Sequence, residues 1–546
     1  MSNWRTRGAA LLLAAAALWY TPWMLATMNG ALPWLSVPFV AANLLIVASA
    51  VVTCINNWHR GVPTAWVTAP DTEPPVAVII PTAGEPIAMV ARTARSVLDQ
   101  DWPHTGLRLI ISDDAGADEI AGLASYLQNQ YPTAIILYHR PPRRGTPERR
   151  GDAKAGNLNS ALDLLFVRFP EVAYVETRDA DDEVGDRRFL RHCIGQLQVD
   201  ERVAYVQTIK QARVSEGDPF NNEDLLFYHG SMLARHAANA VFPCGSGLVW
   251  RLAALQDIGG FPTWNLVEDL QSGVEALRRG WRGVYLPIVG VVSQHAPEDI
   301  PNVYKQRGVW ALDTMRLLFW GNLRGLNLRQ RLHFYELGLF YLASFAMAVF
   351  IIIPALSFVF HIHPLTTDHL SYAVHFWPFA GALELFLATL NGTQPYESLW
   401  KARQMWLGLG FVYMRACTLA LTAGPHRKPV YRVTRKTHHF NWYWRETLAQ
   451  GIATILLGAS LIYGIATTPL LSTLDLGSAF WAFFLLVLLV GFMPKSWFGL
   501  DWYAYVRTVP RSVLTFILRS RPSPASFESI PQDVDAILTG GIEEAI

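Results

Sequence analysis

Long apolar runs at both ends of this 546-residue chain, and none in its middle, confine it to a polar domain held between membrane segments. A bilayer core of about 30 Å takes roughly 20 helical residues to cross. Six stretches approach that length: Ala9 to Met28, Leu35 to Ile55, Phe334 to Phe360, Tyr372 to Leu390, Leu448 to Thr467 and Leu476 to Met493. The mixture of 51% hydrophobic and 16% charged residues with 20 Trp is too apolar for an ordinary soluble enzyme. Arg5 and Arg7 before the first run also fit a signal peptide, but a second run follows at once and argues against cleavage.

An even number of spans leaves both termini on one side. Arg5, Arg7, Arg60, the loop cations Arg427, Lys428, Arg432, Arg435 and Lys436, and Arg507 and Arg511 of the tail then share that side, which the positive-inside rule makes the cytoplasm. The segments left opposite, around Asn29, from His361 to Ser371 and from Thr468 to Asp475, hold no Lys or Arg. The expectation is a multi-pass protein of the inner (cytoplasmic) membrane, in contact with membrane lipids, with its polar domain cytoplasmic. Cys54, Cys193, Cys244 and Cys417 show no paired spacing, so neither a disulfide framework nor a zinc site is expected. A net charge of +1 excludes nothing by itself.

From about Pro74 to Pro297, short β-branched runs alternate with helical stretches, the signature of an α/β domain with a mostly parallel sheet. Strands are expected at Val76 to Ile80, Leu107 to Ser112, Ile135 to Tyr138 and Val172 to Glu176, with a helix from about Lys154 to Phe169. The layout suits a nucleotide, but no spaced-glycine fingerprint follows the first strand, so a nicotinamide or flavin cofactor is not expected. The chain divides into 1–60 with two spans, 72–300 as the α/β domain, 301–333 as interfacial helices, 334–497 with four spans and an interfacial segment at 391–446, and a tail at 498–546. That tail, of roughly 50 residues, is short for a further domain of the usual 100 or more.

Acidic residues recur in pairs where strands end or helices begin. Asp179 and Asp181 stand one residue apart at a strand end, so alternation points both carboxylates one way, and together they suit a hard cation such as Mg²⁺ or Mn²⁺ with phosphate oxygens completing its shell. A solvated acidic turn is the alternative. Asp113 and Asp114 could accept from a base or ribose, or simply start a turn. Lys154 could meet phosphate beside the helix N-terminus around Gly156, or be solvated. Glu268 and Asp269 open a helix, either as dipole partners or as the general base that takes a proton from a sugar hydroxyl. Gln306, Arg307 and Trp310 share a helix, and the indole is either a platform for a pyranose or an interfacial anchor.

In order and spacing these motifs resemble the membrane-embedded family 2 glycosyltransferases, and among them the catalytic subunits of bacterial cellulose synthases. The family's D, DxD, TED and QxxRW motifs correspond to Asp113 with Asp114, Asp179 with Asp181, Val267 to Asp269, and Gln306 to Trp310. Pro81 to Pro86, including Thr82 and Glu85, looks like the first-strand loop, Asp152 to Asn159 like the lysine loop, Phe242 to Ser246 like the acceptor-side FFCGS segment, and Lys428 to Lys436 like the gating loop.

The resemblance implies a GT-A-like nucleotide-sugar domain inserted between two and four transmembrane helices. It implies uridine at Asp113 or Asp114, substrate contacts at Thr82 and Glu85, diphosphate at Lys154, metal and phosphates at Asp179 and Asp181, and Asp269 as base with Glu268 beside it. Cys244 and Trp310 would line the acceptor site, and Gln306 and Arg307 would bind substrate. The reaction implied is the inverting, processive polymerisation of a β-linked glucan from UDP-glucose or another UDP-sugar, with Mg²⁺ or Mn²⁺. Its other partners would be the growing polysaccharide and an accessory export subunit, with no nucleic acid. The alternatives are transfer to a lipid acceptor, synthesis of another β-linked polysaccharide, or an inactive scaffold. The aromatics Trp377, Trp400, Trp406, Tyr413, Trp442 and Trp444 could stack on sugars in a channel or form interfacial belts. Val309 replaces the family's arginine in QxxRW, a charge-assisted contact commonly worth about 1.5 to 3 kcal/mol, so the alternatives are compensation by Arg307 or the gating-loop cations, or slow turnover. The family's cyclic-di-GMP-binding barrel has no room after the last span, so that regulation is not expected.

Overall fold

The computed structural model describes residues 3–64, 67–69, 72–215, 218–426, 443–467 and 475–498. The gating-like cations from Arg427 to Lys436, Trp442, the outer residues from Thr468 to Leu474, and Arg507 and Arg511 lie outside the described residues.

α1 (Asn3–Ala26) and α2 (Pro33–Asn56) form the first hairpin. The polar domain follows as β1 (Val76–Thr82), α3 (Ile87–Leu98), β2 (Leu107–Asp113), α4 (Asp118–Gln130), β3 (Ile135–His139), α5 (Ala153–Arg168), β4 (Tyr174–Thr177) and β5 (Glu183–Val184). It continues as α6 (Phe189–Val199), β6 (Val203–Arg213), α7 (Met232–Ala237), β7 (Leu248–Arg251), α8 (Leu252–Asp257), α9 (Glu268–Arg278) and β8 (Arg282–His295). These strands form one eight-stranded sheet in the order β3-β2-β1-β4-β7-β6-β8-β5.

β1 is buried on both sides because helices cover both faces of the sheet, which is why its sequence reads as a continuous apolar run rather than an alternation. Val76, Val78 and Ile80 pack with α3, α4 and α6. Ala77 and Ile79 point the other way, against Leu158, Leu162 and Leu165 of α5. The sheet is mixed rather than mostly parallel. β1 runs parallel to β2 and β4, whereas β7 is antiparallel to both β4 and β6. The reason lies in where β7 starts: Leu248 pairs with Thr177 at the end of β4 and with Gln207 of β6, so the chain enters β7 from the edge at which β4 finishes. Ser246 is thereby set beside Asp179, whose backbone N–H donates to the Ser246 hydroxyl at 3.0 Å.

The carboxyl-terminal part contains α10 (Ile300–Trp320), α11 (Leu328–Phe360), α12 (His369–Asn391), α13 (Tyr396–Gly408), α14 (Gly410–Ala423), α15 (Leu448–Thr467) and α16 (Asp475–Phe498). Among the described residues six helices are long and apolar enough to cross a membrane: Trp4–Ala26, Pro33–Asn56, Leu328–Phe360, His369–Asn391, Leu448–Thr467 and Gly477–Trp497. α13 and α14 together would add a seventh, bent by 54°. α11 starts before the expected Phe334 because Asn327 and Gln330 close a reciprocal capping box ahead of the apolar stretch. Its 33 residues make a rod of about 50 Å at 1.5 Å per residue, longer than the roughly 30 Å bilayer core. The excess turn carries Phe334 against Leu270, Val274 and Leu277 of α9.

The described channel-candidate aromatics fall into two packed groups, Trp406 with Tyr413 around Phe340 and Tyr341, and Trp377 with Trp400 through Phe480 and Phe484, with Trp444 apart. Trp377 packs edge-on to Phe480, the Trp406 indole donates to the Phe340 carbonyl, Tyr413 is buried against Tyr341, and Trp444 is exposed beneath Arg445.

At the sheet edge the fully buried Arg178 binds the Glu176 carboxylate and donates to the carbonyls of Asp182, at 3.1 Å, and Gly290, at 3.2 Å. It therefore ties the turn after β4 to β8. Removing one partner of a buried ion pair typically costs about 3–5 kcal/mol. Glu176→Leu is expected to lower the thermal midpoint of the purified protein by several degrees, and Glu176→Gln, which keeps an acceptor for the guanidinium, by less.

Candidate active site

β4 ends at the site edge, α5 begins there, and the first turn of α9 closes over both. The Lys154 ammonium, in the first turn of α5, binds Asp179 directly, donates to the Gly245 carbonyl at 2.8 Å and lies 3.6 Å from Glu268. One lysine thus joins the strand-end acid to the helix-start acid. Gly245, at φ +81°, is the only kind of residue that fits between them: an added Cβ would lie 3.1 Å from the Asp269 carboxylate and 3.2 Å from Lys154 Nζ. Asp181 accepts from the His295 backbone N–H at 3.0 Å. A second buried lysine, Lys210 of β6, lies 3.5 Å from Asp179 and 3.6 Å from Asp182, and donates to the Cys244 carbonyl at 3.3 Å.

This crowding sets the protonation states. Burial, then the neighbouring Glu268, raises Asp269 to about 7, with Lys154 opposing. Burial likewise lifts Asp182 to about 6 against the pull of Lys210. For both lysines burial favours the neutral form, but the carboxylates outweigh it and hold them above the ordinary lysine range. Burial and the Asp269 charge push the Cys244 thiol up to about 12, which keeps it a neutral wall of the site rather than a nucleophile. The Cys244 backbone N–H is held by the Gln207 side chain at 2.7 Å, and the same amide group donates to the Ser246 carbonyl at 3.0 Å.

The first acidic pair is held from within. Asp113 accepts from the Thr82 hydroxyl at 2.9 Å and from the backbone N–H groups of Ala115 and Ala117 at 3.1 and 2.7 Å, so it shapes the loop after β2. Asp114 is gripped by both terminal nitrogens of Arg149, at 2.6 and 2.9 Å, and by Arg144 at 2.9 Å. Glu85 accepts from the Ala83 N–H at 2.6 Å across the turn after β1.

On α10, Gln306 is half-buried, and Arg307 turns toward the Asn221 carbonyl at 3.3 Å and Asp224 at 4.0 Å. The Arg307 guanidinium sits 4.8 Å from the ring centre of Trp310, which is 39% exposed. Asp313, three residues further along, is buried and accepts from the Val267 N–H at 2.7 Å, while its carbonyl receives the Asn265 amide at 3.1 Å. It fixes the strap that leads into Glu268 and Asp269.

The side chains brought together are therefore Lys154, Asp179, Asp181, Glu268, Asp269 and Cys244, while Asp113 ends β2 and Asp114 begins the loop after it. Sequence reasoning missed Asp182, Lys210, Gln207, Arg149 and Asp313. A lone lysine inside the apolar strand Val203–Arg213 was the available signal for Lys210, and the next-turn spacing from Trp310 for Asp313.

The donor set is oxygen-only and acidic, which suits Mg²⁺ or Mn²⁺ rather than a soft metal. No group of three or more His, Cys, Asp or Glu poised to hold a metal occurs among the described residues, so Asp179 and Asp181 would need further oxygens from a bound phosphate. That is the normal arrangement for a cation handling a diphosphate.

Residues 74–312 match the family model described as glycosyltransferase like family 2. The chain is 30% identical over 304 residues to cellulose synthase 1 of Komagataeibacter xylinus, a match covering 53% of this chain and 18% of that protein. It is 27% identical over 369 residues to the UDP-forming cellulose synthase catalytic subunit of Pseudomonas fluorescens, covering 64% and 47%. The chain thus spans less than half the length of these curated relatives. Among solved structures, a mannosyltransferase of Pyrobaculum calidifontis in complex with GDP-Man and Mn²⁺ is 17% identical at TM-score 0.46, covering 76% of this chain and 99% of that one. The polar domain is a GT-A-like mixed sheet with helices on both faces, flanked by the six membrane-length helices.

Loss of the Asp313 carboxylate leaves a buried amide unpaired, at a typical cost of about 1–3 kcal/mol. Asp313→Ala is expected to reduce turnover at least tenfold by releasing the strap before Asp269, with Asp313→Asn retaining most of it because its side-chain oxygen still accepts from Val267. Initial rates measured beside thermal midpoints separate this from unfolding.

Proposed function

We propose, from the match of residues 74–312 to the glycosyltransferase like family 2, that this chain is an inverting, processive synthase. It polymerises a β-linked glucan from UDP-glucose and passes the product across the inner membrane, with the polar domain cytoplasmic. The observation that carries the reading is the Lys154 bridge, which puts a group fit to handle a diphosphate and a group fit to deprotonate a hydroxyl into one pocket.

In this mechanism Lys154 and Lys210 face the diphosphate, and Asp179 and Asp181 would hold Mg²⁺ or Mn²⁺, which when bound neutralises charge on the leaving group. The acceptor hydroxyl oxygen attacks the anomeric carbon as its proton passes to Asp269. The anomeric C–O bond to the diphosphate breaks, its electron pair leaves with UDP, and the configuration inverts. A base raised to about 7 is matched to neutral pH, since general-base efficiency is highest when the pKa lies near the working pH. Trp310, exposed beside Arg307, offers a stacking face for the acceptor sugar. Homology to cellulose synthases supports glucose as the sugar and UDP as the carrier.

The test is UDP release from purified full-length protein offered a panel of UDP-sugars, with product length read by carbohydrate electrophoresis. UDP-glucose alone should give release and a ladder of lengths, whereas a single-addition product would defeat processivity. Chelation of divalent metal should abolish release, and added Mg²⁺ or Mn²⁺ should restore it.

Asp269→Asn should lower release at least a hundredfold. In wild type, release should climb as pH rises through about 7, where Asp269 loses its proton. Stability runs the opposite way. The folded-state pKa of Asp269 lies above its unfolded value, so its ionisation weakens the fold as pH rises from the ordinary aspartate range to about 7. At pH 8 the inactive Asp269→Asn protein should therefore melt no lower than wild type, and a clearly lower midpoint would count against a buried carboxylate kept for function.

A further inference from the structure

At the membrane boundary on the side of the polar domain, α1, the end of α2 and the start of α11 leave a groove of about 620 Å³ between them. Its floor and walls are apolar, formed by Leu13, Val51, Ile55 and Leu332, and the small side chains of Ala10 and Ala14 keep it open. Leu11, Ile55 and Leu328 along it are 59%, 50% and 72% exposed, facing the region that lipid fills around a membrane helix.

The mouth is cationic. Arg7 of α1 donates through Nε to the Trp58 carbonyl at 2.9 Å, and its Nη2 lies 3.0 Å from His59 Nδ1. A guanidinium only donates, so His59 accepts on Nδ1 and carries its proton on Nε2, where it remains a donor. Burial, then Arg329 of α11, then Arg7 hold the His59 pKa below the ordinary histidine value; every charged neighbour that acts on this ring is positive. Both His59 and Arg329 are exposed. Trp58 packs beside Arg7 at the level where the chain leaves α2, and Arg60 then binds the His229 carbonyl of the polar domain at 2.9 Å. The cations therefore sit at headgroup depth and the trench runs into the acyl region.

We propose that this groove binds one anionic glycerophospholipid from the adjoining leaflet, with its phosphate on Arg7, His59 and Arg329 and an acyl chain in the trench. An apolar trench joined to an anion-binding mouth selects an amphipathic anion. A free phosphate would leave the trench empty, and a zwitterionic lipid would bring a cation to the same mouth. The bound lipid fills the joint between the first hairpin and α11, whose first turns support α9.

The test uses full-length protein in neutral detergent, titrated with dioleoylphosphatidylglycerol, dioleoylphosphatidylcholine or inorganic phosphate. Thermal midpoint and lipid retention in native mass spectrometry are read together. Phosphatidylglycerol should be retained and raise the midpoint, with phosphatidylcholine and phosphate each having little effect. Arg329→Ala should weaken its binding about fivefold and the Arg7→Ala/Arg329→Ala pair about 30-fold, since each cation near an anionic surface is worth about 1 kcal/mol. Ala14→Phe should weaken it by obstructing the trench with the charges intact, and Arg324→Ala, an exposed cation outside the groove, should bind like wild type. Equal retention of the two lipids, reproduction of the effect by phosphate alone, or wild-type binding by both Arg329→Ala and Ala14→Phe would overturn the proposal.

Discussion

Lys154 is the interaction around which the polar domain is arranged. Asp179, Asp181, Asp182, Glu268 and Asp269 crowd one sheet edge, and charges removed from water are tolerated only beside counter-charge or with their protons kept. Lys154 spans the end of β4 and the start of α9, and Lys210 does the same between Asp179 and Asp182. The antiparallel entry of β7, the left-handed Gly245 and the glutamine that holds Cys244 all let the backbone pass close to these ammonium groups. The fold keeps an electrostatically costly cluster by surrounding it with a dense sheet edge, the half-buried Lys154 and the buried Lys210.

That cluster is mechanically joined to the membrane part. α11 is too long to be only a span, and its excess turn packs Phe334 on the apolar face of α9, whose first turn carries Glu268 and Asp269. α10 reaches the same place through Asp313 and the strap at Val267. Asp269, the proposed base, is therefore positioned by α10 and α11, so a shift of either relative to the sheet would move Asp269 relative to Lys154.

Much of this was legible in the sequence because the physical signals were strong and local. Apolar run length gave six spans that correspond one for one with six membrane-length helices, differing at their ends where caps rather than hydropathy decide, as at Asn327. The strands around Val76 and Leu107 are doubly buried and so read as apolar runs. The reversed direction of β7 was not legible, since direction depends on which edge the chain returns to and not on the composition of Leu248–Arg251. Lys210 and Asp313 were hidden for the same reason. A lysine in a strand reads as a solvated edge until the strand is known to be interior, and an aspartate in a helix reads as a surface charge until the strap at Val267 is laid against it. The partners of Asp114 are Arg149 and Arg144, 35 and 30 residues away in sequence, on the loop after β3, which has no periodicity to read.

In the proposed mechanism a site with Val309 where the resembled family has an arginine has to hold a diphosphate, and Arg307 is the cation beside it on α10. Arg307 does not stand in for it in the described structure, because its guanidinium is committed to Asn221, Asp224 and the face of Trp310. Among the described residues the cations that reach the acidic edge are Lys154 and Lys210, two positive charges against five carboxylates, so this described part of the pocket is net negative even with Asp269 protonated. A bare nucleoside diphosphate would be repelled by such a pocket at short range, where the low dielectric leaves little screening. Its charge has to be offset by something it shares with Asp179 and Asp181, which is the physical reason an oxygen-only pair at that strand end suits a divalent cation. Lys210 then has a definite place in the balance: by neutralising Asp182 behind the pair, it leaves Asp179 and Asp181 to face a shared cation rather than a third ionised acid.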